Sequence, residues 1–298
     1  MAVKTQRGIA LIVVLWMIMI MMTLAASLLY ATRTQSSMLD YSRQMAQARA
    51  IADAAVQYTV LQLYLPNQDR ELQIGGGALL WQYEGAKVEI RVVGENGLID
   101  VNVADRELLR KIIELAGLKK QDTEHMLDAL EDFRDVDDLK RLNGAEDSDY
   151  TKAGLTFGAK DAPIERMEEL QQVVGMTPKL YQTLSRYLTV SSGAAGVNPM
   201  LAPRHVLLLL ANGDKAKVDA YLKEREKAEA EGQTVQPSFG ENFLDYTQQP
   251  FYRLQIKVLQ SEQGPIYFEE RSVQLVPGQI PPFINYFRVL QDSAAQFG

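Results

Sequence analysis

The 298-residue chain contains no cysteine, so no disulfide contributes to its fold; an oxidising compartment permits that composition without requiring it. Histidine is scarce as well. His125 and His205 are the only two and lie far apart, which leaves little material for a histidine-based catalytic site. No acidic residue precedes Asp40, and no glycine or proline, the strongest helix punctuators, interrupts residues 9–65. A formal net charge of −7 disfavours nonspecific attraction to phosphate backbones.

Composition is otherwise ordinary for a folded protein, with 47% hydrophobic and 23% charged residues, and the length suits one large domain or two modest ones. The apolar residues concentrate in residues 9–31, a block of 23 positions without a charge. As a helix rising about 1.5 Å per residue, the block reaches roughly 34 Å, enough for a hydrocarbon core of about 30 Å. Lys4 and Arg7 stand before it, which favours a cytoplasmic N-terminus and places the bulk of the chain on the far side.

Three readings of this N-terminus compete: a cleavable secretory signal, a plain anchor and a processed leader. The apolar part of a signal peptide runs about 7–15 residues, shorter than this one, although Ala25, Ala26 and Ser27 offer the small residues that a signal peptidase uses. The junction MAVKTQRG, followed at once by IALIVV, is similar to the prepilin peptidase recognition pattern, in which cutting follows the glycine. The cut would fall between Gly8 and Ile9. The apolar helix would then be retained, first as a membrane anchor and later as the core of a filament.

Beyond the lipid, Ala48, Ile51, Ala52, Ala55, Val56, Thr59, Val60 and Leu63 recur at i, i+3, i+4 spacing, with Arg49, Asp53, Gln57 and Gln62 on other faces. One helix is expected to run through both parts and to end at Pro66. A membrane helix extended into an amphipathic stem on a small sheet resembles the pilin architecture. Most pilins carry glutamate at the fifth mature position, where its carboxylate neutralises the terminal amine of a neighbour. Val13 occupies that place here. An unpaired amine in lipid is costly, so a subunit lacking the acid belongs where no follower needs it.

Two strand-rich stretches flank a helical middle. AKVEIRVVGENGLIDVN (residues 86–102) alternates around Glu95-Asn96-Gly97 and reads as a hairpin; FYRLQIKVLQ and IYFEERSVQLV repeat the pattern around Gln263-Gly264-Pro265. These four strands are expected in one antiparallel sheet. The gap of about 150 residues between them is too long for a loop and implies an inserted domain. That middle reads as helices: DRELLRKIIELAG between an Asp105 N-cap and a Gly117 C-cap, then TEHMLDALEDF, IERMEELQQVVG, PKLYQTLSRYL and PRHVLLLLANGDKAKVDAYLKEREKAEAEG. None needs a cofactor to explain its apolar face. The organisation expected is a leader (1–8), a transmembrane helix (9–31), a pilin-like α+β domain (32–103 and 241–298) and an inserted α-helical domain (104–240).

Two stretches of the insert bear on chemistry. ELQQVVGMTPKLYQTLSRYL resembles a helix-hairpin-helix unit, whose glycine turn can present amides to a DNA phosphate. Residues 104–190 carry 13 Lys and Arg against 18 Asp and Glu, however, so the surface repels phosphate and a packing role is preferred. The second stretch, LEDFRDVDDLKRLNGAEDSDY (residues 130–150), crowds acids at a density that costs stability unless a cation offsets it. Asp135, Asp137 and Glu146 fall at offsets 1, 3 and 12 of a calcium loop, but Leu139 and Lys140 replace the next ligand and the turn glycine, so it is no EF-hand. Oxygen donors without nearby His or Cys suit a hard cation, calcium above zinc. An acidic surface loop partly offset by Arg134, Lys140 and Arg141 explains the spacing equally well. Ser191-Ser192-Gly193 reads as a linker rather than a nucleophile.

Together these residues resemble the large minor pseudopilin of the bacterial type II secretion system, the K component. That family has such a leader, lacks the glutamate at mature position five and carries a helical domain inserted into its pilin sheet. It also has a stretch similar to GLIDVNVADRELLRKIIELAG and an acidic D-W-x-D-x-D segment followed by G-A-E and a tyrosine. Here these are Asp132-Phe133-Arg134-Asp135-Val136-Asp137, Gly144-Ala145-Glu146 and Tyr150, with Phe133 in place of tryptophan. The resemblance implies calcium held by Asp135, Asp137 and Glu146, with Asp132 and Asp147 behind them. It further implies a non-catalytic structural subunit of the inner membrane, a single pass with its soluble domain in the periplasm, matured by prepilin peptidase and methylated. Such a subunit would join the I and J minor pseudopilins, with H nearby, in a tip complex that starts pseudopilus assembly for export of folded proteins, possible contact with secreted substrate included, and binds no nucleic acid. A single-pass, membrane-anchored DNA-binding protein is the alternative.

Overall fold

With nothing to break it, the N-terminal segment forms one helix, α1 (Arg7–Tyr64), 58 residues long and roughly 87 Å at 1.5 Å per residue. In the computed structural model, which describes residues 7–261 and 266–290, this helix has two environments. Residues 10–44 are exposed throughout, and Ala10–Tyr64 contains a stretch long and apolar enough to cross a membrane. Farther on, Ala48, Ile51, Ala52, Ala55, Val56, Thr59, Val60 and Leu63 are all buried along one face, as their spacing predicts. Gln62, expected outside, is buried with them. Its amide accepts the Glu71 N–H at 2.9 Å and donates to the Tyr58 hydroxyl at 3.1 Å, so both ends of a long polar group at the stripe's margin are satisfied inside. The helix stops before Pro66, where Arg70 donates to the carbonyls of Gln62, Leu63 and Leu65 at 3.1, 3.2 and 3.1 Å, a cation at the negative end of the helix dipole.

Among the described residues seven strands follow: β1 (Leu79–Tyr83), β2 (Ala86–Gly94), β3 (Ile99–Asp100), β4 (Leu188–Thr189), β5 (Phe251–Leu259), β6 (Ile266–Leu275) and β7 (Phe283–Leu290). Five of them form an antiparallel sheet in the order β1-β2-β5-β6-β7. Val88, Ile90 and Val92 of β2 and Leu254, Ile256 and Val258 of β5 face α1, which makes the first hydrophobic core. The class is α+β, as expected. One hairpin differs. β2 does not turn back at Glu95–Gly97; it pairs with β1 through a two-residue turn at Glu84 and Gly85, both at positive φ (50° and 78°). Glu95–Gly97 is instead a 3-10 turn leading to β3, which pairs in parallel with β4. Its glycine serves close approach, since a Cβ on Gly97 would lie 2.4 Å from the Leu201 carbonyl oxygen. β5 and β6 pair as expected, but turn residues 263–265 lie outside the described residues.

Between β3 and β5 the chain builds a second core from α2 (Arg106–Leu115), α3 (Lys120–Arg134), α4 (Asp147–Lys152), α5 (Pro178–Leu184), α6 (Arg204–Leu210) and α7 (Lys215–Ala230). Asp105 caps α2 by accepting the Glu107 N–H at 2.7 Å, and Gly117 follows the helix at φ 92°. Two expected helices change form. IERMEELQQVVG yields only the 3-10 turn Met167–Gln172, and the long final stretch divides into α6 and α7 at Asn212 and Gly213, both at positive φ. Asp214 then caps α7 by accepting the Lys217 N–H at 3.1 Å.

The two cores meet at a buried ion pair. Glu95, 0% exposed, leaves β2; Arg253, 5% exposed, enters β5 and donates to both Glu95 oxygens at 3.1 and 3.3 Å. Arg253 also donates to the carbonyls of Ser185 (3.3 Å) and Leu188 (3.2 Å) in the insert. Burial disfavours its charge, but Glu95 and Glu270 outweigh that and hold the guanidinium pKa above its usual value. Removing one partner strands the other, so Arg253→Met should destabilise by about 3–5 kcal/mol. Glu95→Gln added to it should recover much of that loss in urea unfolding of the detergent-solubilised chain. A single variant as stable as wild type would deny the pair any structural role.

Candidate metal centre

The acidic run begins on the last turns of α3, where Asp128, Glu131, Asp132 and Asp135 share one face at i, i+3, i+4 and i+7 spacing. Two arginines offset them. Arg106 of α2 reaches Asp128 at 2.5 Å and Glu131 at 2.7 Å; Arg141 of the following loop reaches Glu131 and Asp132 at 2.8 Å each, and Asp135. The same carboxylates gather the loop backbone: Asp128 accepts the Asn143 N–H and side-chain amide at 3.0 Å each, and Asp132 accepts the Arg141 N–H at 3.1 Å. Gly144 lies so close over Asp132 that a Cβ would stand 1.8 Å from its Oδ2. Phe133 and Tyr150 stack at 6.4 Å, joining the two ends of the loop.

A second segment straps this arrangement down. The Phe133 carbonyl accepts the N–H groups of Lys160 and Asp161 at 3.0 and 3.2 Å, and Asp147 accepts the Ala159 N–H at 3.0 Å. A Cβ on Gly158 would come within 1.7 Å of the Asp147 carboxylate. Three carboxylates converge under the strap: ligand oxygens of Asp138, Glu146 and Asp161 all lie within 4.8 Å of one another. Burial, followed by the charges of Asp132, Asp135, Asp161 and Asp138, pushes the Glu146 carboxyl up to about 7. Burial and then Asp147, Asp138 and Asp135 also raise Asp161. By contrast Lys140 and Lys152, at 2.9 and 3.1 Å, hold the Asp149 carboxyl down at about 2.

One oxygen each of Glu146, Asp161 and Asp135 is buried without a hydrogen-bond partner. Orphaned carboxylate oxygens facing like charges are what a bound cation would satisfy, and an all-oxygen donor set fits a hard divalent ion such as calcium. Of the residues named from sequence, Glu146 lies in the cluster, while Asp135 and Asp132 border it with Arg141 between them. Asp137 is exposed, outside the cluster, and accepts the Leu139 N–H at 2.9 Å; Asp147 serves the strap. Asp138 and Asp161 were not foreseen. Template counting stepped over Asp138, and Asp161 sits beyond the acidic run at a positive φ of 53° that no local pattern announces. Gly144→Ala should cost about 1–3 kcal/mol by driving a methyl into Asp132, whereas Gly85→Ala meets no atom within 4 Å and bears only its φ of 78°. Parallel thermal melts of the two variants decide this: if Gly144→Ala melts no lower than Gly85→Ala, the close approach is unimportant.

Residues 86–193, which include β2, the acidic loop and its strap, match the family model for Type II secretion system (T2SS), protein K. That match covers about a third of the chain. A curated relative from Escherichia coli (strain K12) is 28% identical over 205 residues, which cover 62% of this chain and 62% of the relative. Type II secretion system protein K of Klebsiella pneumoniae is 27% identical over 203 residues, 61% of this chain and 62% of that protein. The chain thus spans just under two thirds of the length of the protein K relatives it matches. A solved chain from the GspK-GspI-GspJ complex of the enterotoxigenic Escherichia coli Type 2 Secretion System shares the fold, with a TM-score of 0.56 and 15% identity over 88% of this chain and 99% of that one. The acidic loop lies wholly within the matched region.

Proposed function

We propose that this chain is a minor pseudopilin, a non-catalytic structural subunit at the tip of a type II secretion pseudopilus that helps start its assembly for protein export. One observation carries the reading: a single helix, exposed and apolar over residues 10–31 and packed on a sheet beyond residue 48, joins a sheet interrupted by a helical domain whose first part matches the protein K family model. The insert makes the soluble part broad, and Val13 offers no carboxylate to a following subunit's amine. Both features favour an end position. The partners proposed are the I and J components, with H nearby, because the solved protein of like fold is described in complex with GspI and GspJ. The domain limits 1–8, 9–31, 32–103 with 241–298, and 104–240 go with this reading, as do an inner-membrane anchor and a periplasmic soluble part. The DNA-binding alternative finds no support: the first arm of its hairpin is a 3-10 turn bearing Glu168 and Glu169.

Processing follows from the same reading. Mass spectrometry of the chain isolated from membranes should give an N-terminus at Ile9, with or without a methyl group on its amine; an intact Met1 would remove the pseudopilin assignment.

We further propose that calcium is held by Asp138, Glu146 and Asp161, with Asp135 and Asp132 contributing charge at the border and Asp137 and Asp147 shaping the loop. The ion would supply positive charge where carboxylates crowd, and so would fasten the loop and its strap to α3. At free calcium near one hundred times its dissociation constant, the native state gains about 2.7 kcal/mol, which corresponds to roughly 5–10 °C in melting temperature. Addition of EGTA should reverse that gain. In Glu146→Gln, Asp161→Asn the calcium response should vanish while the calcium-free melting temperature rises, since two neighbouring like charges, one buried and one half-buried, are gone. Identical melting with and without chelator in the parent chain would leave the loop a solvated acidic surface.

A further inference from the structure

The acidic loop presents apolar side chains that nothing in the fold covers. Among the described residues beyond residue 44, five large apolar side chains are more than three quarters exposed, and three of them stand together in this loop: Val136 (82%), Leu139 (77%) and Leu142 (92%). Single exposed aliphatics are ordinary on a protein surface, whereas a group of them marks a contact site. The insert's core takes Phe133 before the loop and Ala145 after it, but none of the three between. Their backbone is nevertheless fixed. Asp137 accepts the Leu139 N–H at 2.9 Å. Both neighbours of Leu142 are held as well, the Arg141 N–H by Asp132 at 3.1 Å and the Asn143 N–H by Asp128 at 3.0 Å. A patch ordered in advance loses little entropy when a partner covers it.

The surrounding charges set the sign of that partner. Asp137 and Asp138 lie between the first two apolar residues, both exposed, and neither forms an ion pair among the described residues. The bases of the loop are already engaged, Lys140 with Asp149 at 2.9 Å and Arg141 with Glu131 and Asp132 at 2.8 Å each. A bound calcium would occupy Asp138 and leave Asp137 free. The face is therefore apolar and anionic at once. Side chains this exposed line no pocket, so a small molecule is not enclosed here and the counterpart is a macromolecule. Nucleic acid and an anionic bilayer carry the wrong sign, and a second copy would set Asp137 and Asp138 against the same two acids. The chain's own segments outside the described residues, 1–6, 262–265 and 291–298, hold one base, Lys4, which the long apolar stretch separates from the loop.

We propose that this loop docks a basic segment of a protein partner, in which apolar side chains recur among Lys or Arg. The apolar positions pack on Val136, Leu139 and Leu142, and the cations face Asp137 and Asp138. The inference stands on the loop's exposed face and depends neither on the tip assignment nor on calcium.

Fluorescence anisotropy on the full chain in micelles of a nonionic detergent, with EGTA present, tests it. The probe is a fluorescein-labelled nonapeptide of three Leu-Lys-Lys repeats, whose leucines recur at the interval of Val136, Leu139 and Leu142. Peptides of three Ser-Lys-Lys and three Leu-Glu-Glu repeats are the controls. Saturable binding of the Leu-Lys-Lys peptide is expected, above any uptake by empty micelles, and it weakens as added salt shortens the Debye length. Leu139→Ser, Leu142→Ser should weaken it about tenfold at an unchanged melting temperature, because two aliphatic contacts are lost at a surface the fold does not use. Asp137→Asn, which keeps an oxygen for the Leu139 N–H, should weaken it about threefold. No saturable binding, equal binding of either control peptide, or full affinity in either variant would overturn the proposal. Dimerisation of the parent chain in sedimentation that the double variant abolishes would overturn it in favour of a self-contact.

Discussion

The structure depends on how β2 and β5 are kept side by side. Their register runs from Lys87 opposite Leu259 to Gly94 opposite Tyr252, with the whole insert leaving and returning between them. Loop-closure entropy grows slowly with length, so a large insertion is tolerable provided that the insert has its own core and that its two ends are fastened. Glu95 and Arg253 fasten them, one at the exit and one at the return. Asn96 adds to the knot: its side-chain oxygen accepts the Gln249 N–H at 3.1 Å, and its carbonyl accepts the Asn198 N–H at 2.7 Å. Because Arg253 also holds the carbonyls of Ser185 and Leu188, the insert is tied to the sheet at a definite angle.

The long helix meets a different demand. Over residues 10–31 it is apolar on all sides, a pattern that buries nothing against the protein's own core; beyond residue 48 it is apolar on one side only and covers the sheet. No break separates the two because nothing in residues 9–65 can make one. The stem therefore transmits the direction of the apolar segment rigidly to the folded part.

These patterns were legible because each rests on a local period: 3.6 for the stem, 2 for β2, β5 and β6, and cap residues such as Asp105 for α2. What escaped depends on distant partners. Gln62 looks like a surface residue until Glu71 and Tyr58 are placed beside it. Gly97 looks like a hairpin glycine until the Leu201 carbonyl occupies the space where a Cβ would be. In the acidic loop the run of carboxylates was plain, but which of them converge was not. Asp132 and Asp135 are taken by Arg141, Asp137 turns its own loop, and Asp161 arrives from a strap docked on the Phe133 carbonyl. The family's spacing of acidic segment, glycine and tyrosine now has a physical reading: Gly144 admits Asp132, and Tyr150 stacks on Phe133.

Charge summed along the sequence was the least informative quantity. Residues 104–190 total five more acids than bases, which argues fairly against a broad phosphate-binding surface. Yet the acids of that region fold inward around the loop or pair with Arg106 and Arg141, which come from α2 and from the loop itself. A sum over a contiguous segment cannot see a surface assembled from several. The sign of the field at a site is set by which charges lack a close counter-charge: Arg253 is answered by Glu95 at 3.1 Å and Arg204 by Asp219 at 2.7 Å. A net charge of −7 therefore says little about any one place on the chain, because each local balance is set by partners that arrive from distant segments.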